Sequence, residues 1–329
     1  MTIFFRVDCG GPYGLGHAMR CRTLAQAIHD QAPDMPLVFV TTTPALESVV
    51  DRNGVDWRVD CHESEWHALE AVRQVAQPGD VIVFDEPSSV KWVNSTWRAK
   101  LRRILRVVRL DAPWAESGSC DLLVLPGMHY GAETIERLDG AFGERLLVGA
   151  EYVLLDPWCT TARRESVWER QLLIGFAAGG SDPQQALPLL YQMTRPLEPR
   201  LRALRRVYCM GQQAEPWAVV APTVGDFITG FSRKMLASAT SCVLLWGTTA
   251  YEALALGTPT LTIGRTEAEA EDAARLEAAT DGAVQSLGTL AGLMRETLCD
   301  RLVALWQDAK ERKRMHYASA GVLDGKGAE

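Results

Sequence analysis

Three glycine-bearing stretches of the 329-residue chain each lie between a strand-like run and a helical run, where backbone N–H groups and a helix dipole converge on an anion. The first, Cys9-Gly10-Gly11-Pro12-Tyr13-Gly14-Leu15-Gly16-His17, puts an imidazole at the start of a helix and Asp8 at the end of the strand before it. A helix N-terminus disfavours the charged imidazolium, so His17 is suited to accept a proton. Gly11 and Gly16 have the separation of a P-loop, but His17-Ala18 stands where Lys and Ser or Thr would have to reach phosphate and magnesium. Met19 occupies the place of the third small residue in a dinucleotide fingerprint. Neither a kinase nor a dehydrogenase reading survives.

The second stretch runs Gly175-Phe176-Ala177-Ala178-Gly179-Gly180-Ser181-Asp182-Pro183. Pro183 suits a first helical position and Asp182 or Ser181 an N-cap, so Gly179, Gly180 and Ser181 are expected to present N–H groups. The third is Trp246-Gly247-Thr248-Thr249-Ala250-Tyr251-Glu252, again strand, glycine, hydroxyls, helix. Two such turns suit a diphosphate, with Glu252 one turn further on to accept hydrogen bonds from ribose hydroxyls. No such pattern supports a metal: Cys61-His62 and His67 lack the spacing that shares a helix face. His29, His62, His67, His129 and His316 read as surface or structural residues.

Apolar runs alternating with helical patterns must position these turns, which is the signature of βα units and parallel sheets. Strands are expected at 3–7, 37–40, 81–84, 105–110, 122–125 and 152–155, with helices at 17–29, 45–52, 65–75 and 92–103. The polar stretch from Asp156 to Glu169 reads as a domain joint. Beyond it, strands are expected at 172–176, 206–210, 243–246 and 260–263, and helices at 183–193, 231–238, 249–256 and 267–279. A stripe of Leu290, Leu293, Met294, Leu298, Leu302, Leu305 and Trp306 marks a last helix over 290–317. The fold class is therefore α/β, two Rossmann-like domains facing a cleft, with a C-terminal helix that could pack back toward the first. The expected division is 1–157 for the first domain, 158–169 for the linker, 170–319 for the second domain and 320–329 for a flexible tail.

At this length roughly 70 to 75% of the unfolded surface is buried, enough for two cores. With 34 Lys+Arg against 41 Asp+Glu, the net charge of −7 disfavours a nucleic-acid partner, and 47% hydrophobic residues disfavour disorder. No apolar run approaches the ~20 residues of a membrane span, and the opening MTIFFRVD does not resemble a signal peptide, so the cytoplasm is the expected location. Eight dispersed cysteines without a C-x-x-C pair read as reduced thiols packing as small hydrophobes. The basic runs over 98–109 and 310–314 read as solvated helix faces.

Arg6-Val7-Asp8, Gly14-Leu15-Gly16-His17, Arg20-Cys21 and Leu24-Ala25 resemble the N-terminal pattern of the nucleotide-sugar hydrolases of pseudaminic acid biosynthesis and the related spore-coat polysaccharide proteins. Gly179-Gly180-Ser181-Asp182-Pro183, and Gly247-Thr248-Thr249-Ala250-Tyr251-Glu252 followed by Leu256-Gly257-Thr258-Pro259, resemble that family's C-terminal pattern. The resemblance covers most of the chain in the same order and implies a glycosyltransferase-B architecture. It implies a UDP-linked deoxy-diacetamido sugar whose anomeric C–O bond is cut by water, with neither metal nor cofactor. His17 would be the general base and Asp8 would orient or tune it. Arg6, Gly14, Gly16, Arg20 and Asp85 would bind on the sugar side, and the glycine turns with Asp182 would hold the diphosphate through preorganised dipoles. Glu252 matches the ribose-binding acid, and domain closure would bring water and the anomeric carbon together.

The sequence departs from the family around the sugar. Asp85 is followed by Glu86-Pro87-Ser88 in place of an aromatic, Asp111-Ala112 replaces paired aspartates, the run from Asp121 leads to Pro126-Gly127 in place of an asparagine, and the acidic stretch after Gly264 replaces an Asn-Gln pair. The leading expectation is a hydrolase releasing UDP from an amino or deoxy sugar. A glycosyltransferase, admitting an acceptor by the loops at 85–89 and 126–130, and a nucleotide-sugar binding protein without turnover stand beside it. A CDP or CMP sugar remains open, as does the oligomeric state.

Overall fold

Parallel strands buried on both faces need near-continuous apolar runs, and the central strands of both sheets of this protein are such runs. The computed structural model describes residues 1–50, 55, 57–85, 100–163, 171–182, 184–195, 205–212, 214 and 226–329. The chain divides into two units, Met1–Leu155 with Lys326–Glu329, and Asp156–Gly325.

In the first unit the strands are β1 (Ile3–Val7), β2 (Leu37–Thr41), β3 (Arg58–Cys61), β4 (Val81–Asp85), β5 (Arg106–Leu110), β6 (Leu122–Pro126) and β7 (Leu146–Gly149). They pair in the order β3-β2-β1-β4-β5-β6-β7, all parallel. The chain reverses its direction of winding between β1 and β4, so a crevice opens at their carboxyl ends. Helices α1 (Gly16–Gln31), α2 (Leu46–Val49), α3 (Glu65–Val75) and α4 (Ala132–Phe142) complete the unit among the described residues. One face of the sheet packs Phe5, Phe39, Trp57 and Val7 against Ala18, Cys21 and Ala25 of α1, and the other packs Phe4, Ile82, Phe84 and Leu123 against Leu69, Val72 and Leu138.

The second unit repeats the plan. Strands β8 (Gln171–Ala177), β9 (Arg205–Met210), β10 (Asp226–Gly230), β11 (Ala239–Leu245), β12 (Thr260–Gly264) and β13 (Val284–Thr289) pair in the parallel order β10-β9-β8-β11-β12-β13. Its switch point lies between β8 and β11. Around it run α5 (Trp158–Thr161), α6 (Ala186–Thr194), α7 (Arg233–Ser238), α8 (Thr248–Ala255), α9 (Glu267–Ala279), α10 (Arg295–Gln307) and α11 (Ala309–Ala318).

Several expectations require correction. Residues 153–155 carry no strand and 150–152 form a 3₁₀ turn; the last strand of the first unit is β7, built from Leu146-Leu147-Val148-Gly149. The edge strands β3, β10 and β13 escaped the sequence reading because they are short or only half buried, which blurs the apolar signal. The helix expected over 290–317 is two helices, because the Asp308 carboxylate accepts from the N–H groups of Lys310 and Glu311 and starts α11 afresh. These helices pack within the second unit, through Leu298, Leu302, Leu305 and Met315. Within the stretch read as a tail, Lys326–Glu329 group with the first unit, Ala328 packing on its core. The helix expected over 92–103 falls largely outside the described residues, as do Glu86, Pro87, Ser88 and Pro183.

Candidate functional site

The carboxyl ends of three neighbouring strands in the first unit each deliver an aspartate: Asp8 directly after β1, Asp85 closing β4 and Asp111 directly after β5. Register makes them neighbours, since Val7 and Leu110 both pair with Asp85. The glycine stretch after β1 folds on itself, Gly10 N–H donating to the Gly14 carbonyl at 2.7 Å, and Gly16 then begins α1. No side chain caps this helix, and His17 sits in its first turn, about one-fifth exposed.

His17 Nδ1 lies 2.6 Å from Asp85 Oδ1. Asp85 is fully buried, and although burial favours its neutral acid, Arg20 and His17 hold its carboxyl down to about 2. An ionised carboxylate can only accept, so the Nδ1 proton is donated to Asp85 and Nε2 is left without that partner. Arg20, one turn along α1, forks onto the same carboxylate, Nε to Oδ2 at 3.0 Å and Nη2 to Oδ1 at 2.7 Å, and its Nη1 reaches Asp111 Oδ2 at 2.7 Å. The Cys21 thiol donates to Asp85 Oδ2 at 3.8 Å. Burial and the Asp85 charge push that thiol well up. The arrangement is an imidazole held in a fixed orientation with Nδ1 engaged by Asp85, so that Nε2 is the nitrogen left for proton exchange.

The partner expected for His17 was Asp8, and here the structure corrects the sequence reading. Asp8 accepts from Arg6 Nη1 and Nη2 at 2.8 and 2.9 Å, from the Thr41 hydroxyl at 2.8 Å, and from the Thr42 N–H and hydroxyl at 2.7 and 2.9 Å. Against burial, these donors hold its carboxyl below the ordinary range. Arg6 also donates from Nε to Glu65 Oε2 at 2.9 Å, and burial pushes the Glu65 carboxyl up. Arg6 and Asp8 are at most 1% exposed, so their charges serve each other and tie β1 to β2 and α3. Asp85, expected on the sugar side, is fully buried and bonded to His17 and Arg20.

In the second unit the two glycine turns stand side by side at the switch point. Ala177, at the end of β8, pairs with Leu244 of β11, so Gly179-Gly180-Ser181 and Gly247-Thr248-Thr249 leave adjacent strand ends. Gly247 adopts φ +149°, a conformation other residues rarely take, and α8 begins behind it with no side-chain cap. Gly179 is exposed, whereas Ser181 is largely buried. Asp182 caps α6, its carboxylate accepting from the N–H groups of Ala186 and Leu187 at 2.8 and 3.0 Å. The capping role expected of Asp182 or Ser181 thus falls to Asp182, on a helix that begins at Ala186. Sequence reading also missed Gly211, which follows β9: a Cβ there would strike the carbonyl oxygens of Gly179 and Gly180, so only glycine lets this turn lie against the next strand end.

Glu252 lies on α8 and is 5% exposed; burial pushes its carboxyl up, opposed by Arg233, whose Nε donates to Oε1 at 2.6 Å. Arg233 Nη1 reaches Asp156 Oδ2 at 3.1 Å. No pattern in the sequence marked Arg233, which opens a six-residue helix. Asp111 was noted only as a departure from the family and Tyr130 only within a loop that could admit an acceptor, although an aspartate directly after a strand was a usable signal. Among the described residues no group of three or more His, Cys, Asp or Glu could hold a metal ion, and no helix is long and apolar enough to cross a membrane.

No protein-family model matches the sequence. Over 340 aligned residues, 99% of this chain is 22% identical to the spore coat polysaccharide biosynthesis protein SpsG of Bacillus subtilis (strain 168), 95% of which is covered. Among solved structures, the S. aureus MnaA–UDP co-structure matches with a TM-score of 0.69 at 14% identity, covering 99% of this chain and 93% of that one. A putative UDP-N-acetylglucosamine 2-epimerase from Listeria monocytogenes gives 0.66 at 13% identity, with 99% and 93% covered. The calicheamicin glycosyltransferase CalG4 gives 0.61 at 14%, with 99% and 95% covered. The fold is therefore two parallel-sheet α/β Rossmann-like domains, as in glycosyltransferase-B enzymes and epimerases.

Proposed function

We propose that this chain is an enzyme acting on a nucleotide sugar, and that it hydrolyses a UDP-linked amino or deoxy sugar at the anomeric carbon. The observation that carries the reading is the donation of His17 Nδ1–H to an ionised Asp85, which leaves Nε2 as proton acceptor. A water oxygen attacks the anomeric carbon as its proton passes to Nε2. The C–O bond to the diphosphate breaks, and its electron pair leaves with UDP. Backbone N–H groups of the Gly179–Ser181 and Gly247–Thr249 turns receive the charge that develops on the leaving phosphate. Glu252 takes the ribose hydroxyls, its position held by Arg233. Likeness to SpsG, a spore coat polysaccharide biosynthesis protein, and to a structure holding UDP supports a nucleotide-sugar substrate. The same base could deprotonate an acceptor hydroxyl, and the likeness to CalG4 supports that second reading.

The test incubates the purified chain, with EDTA and no acceptor, with UDP-, CMP- and GDP-sugars in ¹⁸O-labelled water and reads the products by mass spectrometry and NMR. Free UDP with the label in the sugar is expected. A sugar that stays on the nucleotide with an inverted ring carbon would replace hydrolysis by epimerisation. Tight nucleotide binding with no chemistry until an acceptor is supplied would replace it by transfer.

A further inference from the structure

Asp111 takes no part in the proton transfer and does not touch His17, yet its backbone is held in the left-handed region at φ +51°, where residues other than glycine are uncommon. Its N–H donates to the Val124 carbonyl at 2.8 Å, fixing that conformation against β6. The carboxylate is thereby aimed at two donors: Arg20 Nη1 reaches Oδ2 at 2.7 Å and the Tyr130 hydroxyl reaches Oδ1 at 2.8 Å. Against burial, Arg20 holds this carboxyl below its ordinary range. Tyr130 packs on the core behind β5 and β6, its ring 4.1 Å from that of His129.

Arg20 carries its five donors in one rigid plane. Its Nε and Nη2 edge can fork onto Asp85 only while the plane is held in one rotation, and the single contact from Nη1 to Asp111 is what sets that rotation. Arg20 Nη2 and His17 Nδ1 both donate to Asp85 Oδ1 and stand 3.0 Å apart, so a tilt of the guanidinium competes directly with the imidazole for the same oxygen. We propose that Asp111 and Tyr130 are positioning residues that lock Arg20 onto Asp85 and so hold His17 in its Nδ1–H tautomer. The inference rests on the reading of His17 as the base, but it makes a claim about the ligand-free protein that can be checked without turnover.

The test records ring ¹⁵N spectra of the full-length, substrate-free protein at about pH 8, above the ordinary imidazole range, with the His17 signals assigned by His17→Gln. The unaltered chain should show His17 protonated at Nδ1. Asp111→Ala should convert a measurable fraction to the Nε2–H form, Tyr130→Phe should do so less, and Asp111→Asn, whose amide oxygen can still accept, should restore most of the original signal. In the hydrolysis assay Asp111→Ala should lower kcat by about tenfold or more while KM stays within about twofold, as loss of an orienting group does. Because Asp111→Ala could fold poorly, Tyr130→Phe, which removes only a hydroxyl, gives the second reading. A His17 signal unchanged in folded Asp111→Ala and in Tyr130→Phe overturns the proposal. A tautomer shift in a protein found to transfer rather than hydrolyse leaves this proposal standing and overturns only the choice of nucleophile.

Discussion

Both units open a crevice between the first and fourth strands of the same parallel order, yet they furnish it in opposite ways. In the first unit the strand ends carry Asp8, Asp85 and Asp111, matched by Arg6 and Arg20, so ionised side chains are locked against each other there. In the second unit the ends of β8, β9 and β11 lead instead into glycines, at Gly179, Gly211 and Gly247, and the turns there offer backbone groups, with Glu252 on the helix behind. Topology supplies the crevice; the residues at and just beyond the strand ends decide its chemistry. A side-chain network fixes one proton-accepting nitrogen, which a proton transfer needs. Backbone donors spread partial positive charge without ordering long side chains, which a diphosphate needs.

If that division is right, damage to one unit should spare the function of the other. The largest effect is expected from His17→Ala: a general base contributes about 10² to 10⁴ in rate, so kcat should fall by that order while the UDP dissociation constant stays within about twofold. Single-turnover kinetics beside calorimetric UDP titration separate the two quantities. A variant with ordinary turnover would remove the base from the mechanism.

The reciprocal experiment is Glu252→Ala. Loss of a charge-assisted hydrogen bond to ribose should weaken UDP binding by roughly 1.5 to 3 kcal/mol, about 10-fold to 100-fold, with kcat at saturation little changed. Glu252 is buried and paired with Arg233, so Glu252→Gln, which keeps the shape and one acceptor for Arg233, checks that the loss is not merely misfolding. Unchanged affinity in both variants would detach Glu252 from the nucleotide and erase half of the contrast.

The contrast was only partly legible in the sequence, and for a physical reason. Glycines between a strand and a helix announce themselves locally, so the turns at Gly179 and Gly247 and the imidazole at His17 could be located from spacing. The pairing of His17 with Asp85 spans 68 positions and depends on β4 lying beside β1 with Asp85 in register with Val7. Asp8, nearer in sequence, was the natural expectation, but its side chain turns to Arg6 and the Thr41 and Thr42 pair. Arg233 and Tyr130 were illegible for the same reason, since each acts on a residue that only tertiary packing brings within reach. Buried central strands were legible because both faces are apolar; half-exposed edges such as β3 were not.

The smallest effect sharpens the contrast through stability rather than activity. Asp85, at about 2 in the folded chain against an ordinary 3.8, stabilises the first unit only while it is ionised, by at most roughly 2 kcal/mol. Its contribution is complete above pH about 4 and fades as the pH falls toward about 2; Asp8 and Asp111, also held below their ordinary values, follow the same sign. Glu252 in the second unit is shifted the other way, so its folded form prefers the proton and acidification relieves rather than imposes a cost. Glu65 has that sign within the first unit and offsets part of the loss there. Hydrogen exchange at about pH 3 against pH 7, corrected for intrinsic rates, should therefore show amides of β1 and β4 losing protection before those of β8 and β11. Asp85→Asn should already be weakened at neutral pH and show a smaller further loss on acidification. Equal loss in both units, or a first unit that outlasts the second, would mean that the ionised strand ends do not carry the stability that their hydrogen bonds imply.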